Sequence, residues 1–119
     1  MWKYALAVIV ALTTAASAAD ELVIFHMPGC RPCGYLKKML DENPDVTRGF
    51  KVSRIDITAD VESAKLFNVN SVPTVVRLDD KGREVSRTVG YTDKEEFVRW
   101  LEKSNEKTGK KTLLRLRRN

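Results

Sequence analysis

Two cysteines, three residues apart, come soon after an apolar run: Leu22-Val23-Ile24-Phe25, then His26-Met27-Pro28-Gly29, then Cys30-Arg31-Pro32-Cys33. They are the only cysteines in the chain. The apolar run is short and ends on a Pro-Gly signal, which predicts a buried strand. With Cys33 on a first helical turn, residues i and i+3 face each other, about 5–6 Å apart at Cα, a span that a disulfide can bridge. Pro32 suits that turn, because its missing N–H leaves nothing unpaired there. Cys30 then sits at the helix N-terminus, where the dipole stabilises a thiolate.

The chain has 119 residues, enough for one small domain. Its start reads differently from the rest. Lys3 precedes an apolar stretch from Tyr4 to Leu12, and small residues end in Ala16-Ser17-Ala18. That pattern predicts a secretory signal cleaved after Ala18, and a periplasmic or secreted protein. The stretch is short for a transmembrane span; an uncleaved anchor is the alternative. The expected organisation is a signal peptide over 1–18, one domain over 19–104 and a basic tail over 105–119. Formal net charge is +5, and the tail holds Lys107, Lys110, Lys111, Arg115, Arg117 and Arg118 against Glu106 alone. The basicity therefore belongs to the tail, and the domain is close to neutral.

Export bears on the cysteines. In an oxidising compartment two cysteines usually form one structural bridge. Such a bridge stabilises most when it closes a long loop, and this one closes almost none. A poor staple is a better candidate for a redox pair.

Further along, Leu36, Met39 and Leu40 recur at helical spacing until Asn43-Pro44-Asp45 stops them. Val52 to Ile57 predicts a second strand, whose two faces are not told apart by residue type. A helix comes after Thr58 or Asp60, with Val61, Ala64 and Phe67 on its apolar face. Val72-Pro73-Thr74 opens a third strand, where proline is tolerated at the start. Asp79-Asp80-Lys81-Gly82 is a turn, and Glu84 to Val89 alternates as a returning strand. Thr92-Asp93-Lys94-Glu95 fits a capping box for a last helix carrying Phe97, Val98, Trp100 and Leu101. The order β-α-β-α-β-β-α predicts an α/β fold, a four-stranded mixed sheet with helices on both faces.

A strand, Cys-x-Pro-Cys opening a helix, Val-Pro-Thr starting a strand, Asp-x-x-Gly in a hairpin and Val-Gly before the last helix resemble the thioredoxin-fold oxidoreductases. The resemblance spans about Glu21 to Lys103. It implies a thioredoxin-like fold and thiol-disulfide exchange on protein substrates, with no cofactor beyond the Cys30–Cys33 pair. Cys30 matches the family's nucleophile and Cys33 its resolving cysteine. Pro73 matches the cis-proline beside the pair, Val72 the residue whose backbone pairs with substrate, and Gly90 a glycine at the substrate surface; Thr74 completes that motif. Arg31 and Pro32 lie between the cysteines, where Arg31 is expected to favour the Cys30 thiolate. Departures are as informative. Gly29 stands where thioredoxins usually carry Trp, Arg31 where they carry Gly, and Ile24 where they carry a buried Asp; Arg54 matches a lysine near that Asp. Without that carboxylate, the proton of Cys33 needs another acceptor, and His26 is the one histidine in the chain.

Reductases, oxidases and isomerases share the fold. A small single domain favours a monomeric reductant, fed by a membrane thiol donor because an exported compartment has no nicotinamide-fed reductase of its own. An oxidase or isomerase-type donor is the alternative. A second alternative is a non-catalytic module that uses the tail to bind an anionic membrane surface or an acidic partner. Nucleic acid is not expected, because the tail has no aromatic stacking residues. Metal is not expected either: Cys30, Cys33 and His26 supply three ligands where structural zinc takes four.

Overall fold

The computed structural model describes residues 19–109. The signal assigned to residues 1–18 and the tail from 110 onward lie outside the described residues. Within them the chain forms β1 (Glu21–His26), α1 (Arg31–Glu42), a 3-10 turn (Pro44–Thr47), β2 (Lys51–Asp56), α2 (Val61–Leu66), β3 (Thr74–Leu78), β4 (Glu84–Val89) and α3 (Lys94–Thr108). The sheet order is β2-β1-β3-β4. β1 runs parallel to β2 and antiparallel to β3, and β3 and β4 form an antiparallel hairpin. This is the mixed α/β sheet that the order of elements predicts.

β1 is central, and Leu22 to Phe25 are buried without a break. Successive side chains of a strand point to opposite faces, so this run feeds two cores. Leu22 and Ile24, with Val75, meet Leu36, Met39 and Leu40 of α1 and Phe97, Val98 and Leu101 of α3. Val23 and Phe25, with Val76 and Leu78, meet Ile55, Ile57, Phe67, Val69 and Val72 on the other face. Phe67 stacks obliquely on Phe25, with ring centroids 5.3 Å apart. Two helices thus cover one face and the short α2 region the other. The register Ile24–Arg54 and Phe25–Ile55 settles the faces of β2: Ile55 belongs with the α2 side, and Val52 stays exposed.

Three local expectations need correction. α2 is a single short helix, and Val61 at its start is 50% exposed and not on the apolar face. Phe67 lies just past its end as the C-cap. The N-cap of α3 is Asp93, whose carboxylate accepts the Glu96 N–H at 2.8 Å. Asp is at least as good a cap as Thr, so the box slides one residue along, and Thr92 instead donates its hydroxyl to the Glu96 carboxylate. Finally, α3 continues to Thr108. Residues 105–108 therefore belong to the helix and not to a tail beginning at 105.

The reason for that extension is a buried arginine. Arg77 of β3 is 1% exposed and lies on the α1/α3 face of the sheet. Its guanidinium donates to Asp20 Oδ2 at 2.8 and 3.1 Å. It also donates to Ser104 Oγ at 2.6 Å and Asn105 Oδ1 at 2.7 Å. The cation lies 4.9 Å from the centre of the Phe50 ring. A buried charge is tolerated only when paired and hydrogen-bonded, and here the partners come from before β1 and from the last turns of α3. Arg77→Met removes the guanidinium from buried Asp20, Ser104 and Asn105 and is expected to cost about 3–5 kcal/mol in urea unfolding. Adding Asp20→Asn is expected to recover part of that loss, since the buried carboxylate charge is then gone.

Several carboxylates titrate below their ordinary range. The hydroxyl and then the backbone N–H of Ser63 hold Asp60 low at the start of α2, and the Thr58 hydroxyl and N–H do the same for Asp56. A depressed folded value means that this stability is present above the ordinary carboxylate value of 3.8 and is lost as pH falls through the lowered one. The urea midpoint is expected to drop below that pH, and to drop less in Asp60→Asn, which keeps a cap but cannot titrate.

Candidate active site

The site forms where β1 hands over to α1. The chain leaves β1 at His26 and turns through exposed Met27, Pro28 and Gly29. Gly29 has φ +81, a region that favours glycine. The turn brings the Cys30 N–H to the Met27 carbonyl at 3.4 Å. Cys30 is the N-cap of α1: its backbone is extended, and its Sγ accepts the Cys33 N–H at 3.2 Å. The Cys30 carbonyl accepts the Gly34 N–H, also at 3.2 Å. Pro32 occupies the first turn and lacks the N–H that would otherwise seek a partner.

Cys30 and Cys33 form a disulfide, with Cα atoms 5.2 Å apart. Cys30 is half-buried and Cys33 is buried. An incoming sulfur therefore reaches Cys30 more readily, and Cys33 waits behind it. When the bond is reduced, a Cys30 thiolate keeps the Cys33 N–H as a charge-assisted donor and gains the helix dipole. Serine or aspartate normally fills an N-cap; here a cysteine sulfur does.

The second half of the site is the loop before β3. The Val72–Pro73 bond is cis. Cys30 Sγ lies 3.8 Å from the Val72 carbonyl oxygen. In the disulfide this is a contact, since that sulfur carries no proton; as a thiol, Cys30 can donate to it. The Pro73 carbonyl accepts the Gly90 N–H at 2.7 Å, which fastens the β4–α3 turn to the same loop. Pro73 is fully buried. Thr74 is also buried, and its hydroxyl donates to the Ser71 carbonyl at 2.7 Å. The side chain of Thr74 thus braces the loop from inside and does not reach a substrate surface. The surface offers the backbone at Val72, with exposed Gly90 behind it.

Arg31 is the first residue of α1 and points out, exposed. His26 is half-buried and lines a hollow of about 220 Å³ together with Met27, both cysteines, Gly34, Lys37 and Arg54. Lys37 follows Cys33 by one helical turn and is legible from spacing, whereas Arg54 is not. Only the parallel register of β2 on β1 brings Arg54 there. Among the described residues no group of three or more His, Cys, Asp or Glu side chains is placed to hold a metal ion.

Comparison with known proteins agrees with this geometry. The model of the thioredoxin-like domain family matches residues 10–105. The chain belongs to the thioredoxin-like family. A thioredoxin of Chlamydia muridarum is 37% identical over 95 residues, covering 75% of this chain and 88% of that protein. A prophage-derived thioredoxin-like protein of Bacillus subtilis is 31% identical over 75 residues, covering 63% of this chain and 88% of its own length. A protein disulfide-isomerase of Datisca glomerata is 31% identical over 102 residues, covering 80% of this chain but 19% of that protein. Ile24 is a packed core residue of the α1/α3 face, in one cluster with Leu36, Met39 and Leu40 of α1.

An exposed charge beside a thiolate contributes up to about 1 kcal/mol. Arg31→Gly is therefore expected to slow alkylation of reduced Cys30 by iodoacetamide at neutral pH by about twofold, through a smaller thiolate fraction.

Proposed function

We propose that this protein reduces disulfides of protein substrates in an exported compartment, with Cys30 as nucleophile and Cys33 as resolving thiol. The observation that carries the reading is the half-buried Cys30 sulfur at the N-cap of α1, beside the Val72 carbonyl and backed by buried Cys33. Cys30 thiolate attacks one sulfur of the substrate disulfide. The mixed disulfide forms, and the other substrate sulfur leaves as a thiolate and takes a proton. Cys33 loses its proton to His26 or to water, attacks Cys30 Sγ and frees the second substrate thiol. Two electrons pass to the substrate, and the enzyme is left with the Cys30–Cys33 bond. An extended substrate segment lies along the Val72 backbone by strand-type pairing.

The reducing direction is supported by the thioredoxins among the relatives. The exported compartment rests on Lys3, the apolar stretch and Ala16-Ser17-Ala18. A membrane thiol donor recharges the pair in this reading, and the cationic tail from Lys110 holds an anionic surface or an acidic partner.

Reduction of insulin disulfides tests the core of the reading. Wild type is expected to be active, Cys30→Ser inactive, and Cys33→Ser is expected to accumulate a mixed disulfide through Cys30. Absence of that adduct, with an inactive wild type, sinks the proposal. Truncation after Gly109 is expected to keep activity. Truncation after Ser104 removes Asn105 and Thr108 from Arg77 and is expected to lower stability first and activity only through unfolding.

A further inference from the structure

The hollow beside Cys30 and Cys33 is lined by two cations, Lys37 from α1 and Arg54 from β2, with His26 of β1 between polar and apolar neighbours, and no carboxylate lines it. Charges that face it from the same elements are accounted for. Asp41 is engaged by Lys37 at 2.8 Å. Asp56 is engaged by the Thr58 hydroxyl and N–H at 2.6 and 2.9 Å. Arg54 is exposed, and among the described residues it makes no side-chain hydrogen bond or ion pair within 4 Å. The carboxylate whose field it shares is Asp41, already held by Lys37. A planar guanidinium with five uncommitted donors, next to a reacting sulfur, is suited to bind a carboxylate in two-pronged fashion.

We infer that this hollow receives a carboxylate carried by the substrate beside its disulfide, so that the enzyme selects disulfides flanked by acidic residues, with Arg54 as the specificity-determining cation. The inference rests on the oxidoreductase reading and names the substrate class of that same site. The hollow is separate from the Val72–Thr74 loop, none of whose residues lines it. Substrate main chain and substrate charge are thus read by different elements.

The test uses pre-reduced full-length protein and two short peptides, each with one internal disulfide. One carries two glutamates beside a cysteine, and its twin carries glutamines. Single-turnover rates, read by acid quench and alkylation, are expected to favour the acidic peptide by about three- to fivefold at low salt, in line with one exposed charge pair. The preference is expected to shrink in about 0.5 M salt, where screening is strong. Arg54→Gln is expected to bring the ratio of the two rates close to one, and Arg54→Lys to restore part of it, since the charge returns without the two-pronged fork. Arg99→Gln removes the same charge from α3, away from the hollow, and is expected to leave the ratio as it is. Equal rates for both peptides in wild type, or an undiminished ratio in Arg54→Gln, overturn the inference while leaving the oxidoreductase reading intact. If neither peptide is reduced, that reading falls and the inference falls with it.

Discussion

Burial of β1 on both faces is the constraint on which everything else hangs. Four consecutive apolar residues, Leu22 to Phe25, leave no face for water, and each fully buried side chain of this size contributes about 1.5–3 kcal/mol. Covering one face requires α1 and α3, and covering the other requires the α2 region. Because α1 must pack back onto the strand that precedes it, the chain has to reverse within a few residues after His26. The reversal is where Cys30 is placed. The same packing that stabilises the sheet therefore fixes the N-terminal end of α1, and with it the environment of the Cys30 sulfur.

Periodicity carries much of this in plain view. The apolar run of β1, the helical spacing of Leu36, Met39 and Leu40, and the turn at Asp79–Gly82 are local signals, and local signals are readable from residue order. The Cys-x-Pro-Cys pair is legible for the same reason: i to i+3 on a helix is a short-range relation. Relations between elements are harder to read. Arg54 reaches the pair only through the parallel register with Ile24, which no stretch of sequence encodes by itself. Thr74 looks like part of a recognition motif because its neighbours are, yet its hydroxyl is spent on Ser71. The start of α3 shifts by one residue because Thr92 and Asp93 are both competent caps, and tertiary packing chooses between them.

Arg77 shows the same limit in a sharper form. Arg77 is the one charge in the otherwise apolar run Val75-Val76-Arg77-Leu78. It is among the most buried side chains of the protein, because Asp20, Ser104 and Asn105 arrive from distant parts of the chain to satisfy it. The signal is present as an oddity, a charge where hydrocarbon belongs, but its partners are not. The contrast with Arg54 is instructive. Both are arginines on the α1/α3 face of the sheet. One is surrounded by its acceptors, and the other is left with its donors unspent beside the disulfide.

The Arg77 cluster also fixes where the chain enters and leaves the domain. Asp20 before β1 and Thr108 at the end of α3 both meet one guanidinium. The cysteines lie past the other end of β1, six residues away along the strand, or about 20 Å at an ordinary strand rise. Entry and exit therefore share one pole, and the disulfide occupies the other. A probe placed on Asp20 or on Thr108 therefore reports on the pole opposite the disulfide, and loosening the Arg77 cluster is felt at both ends of the described domain before it is felt at the sulfur pair.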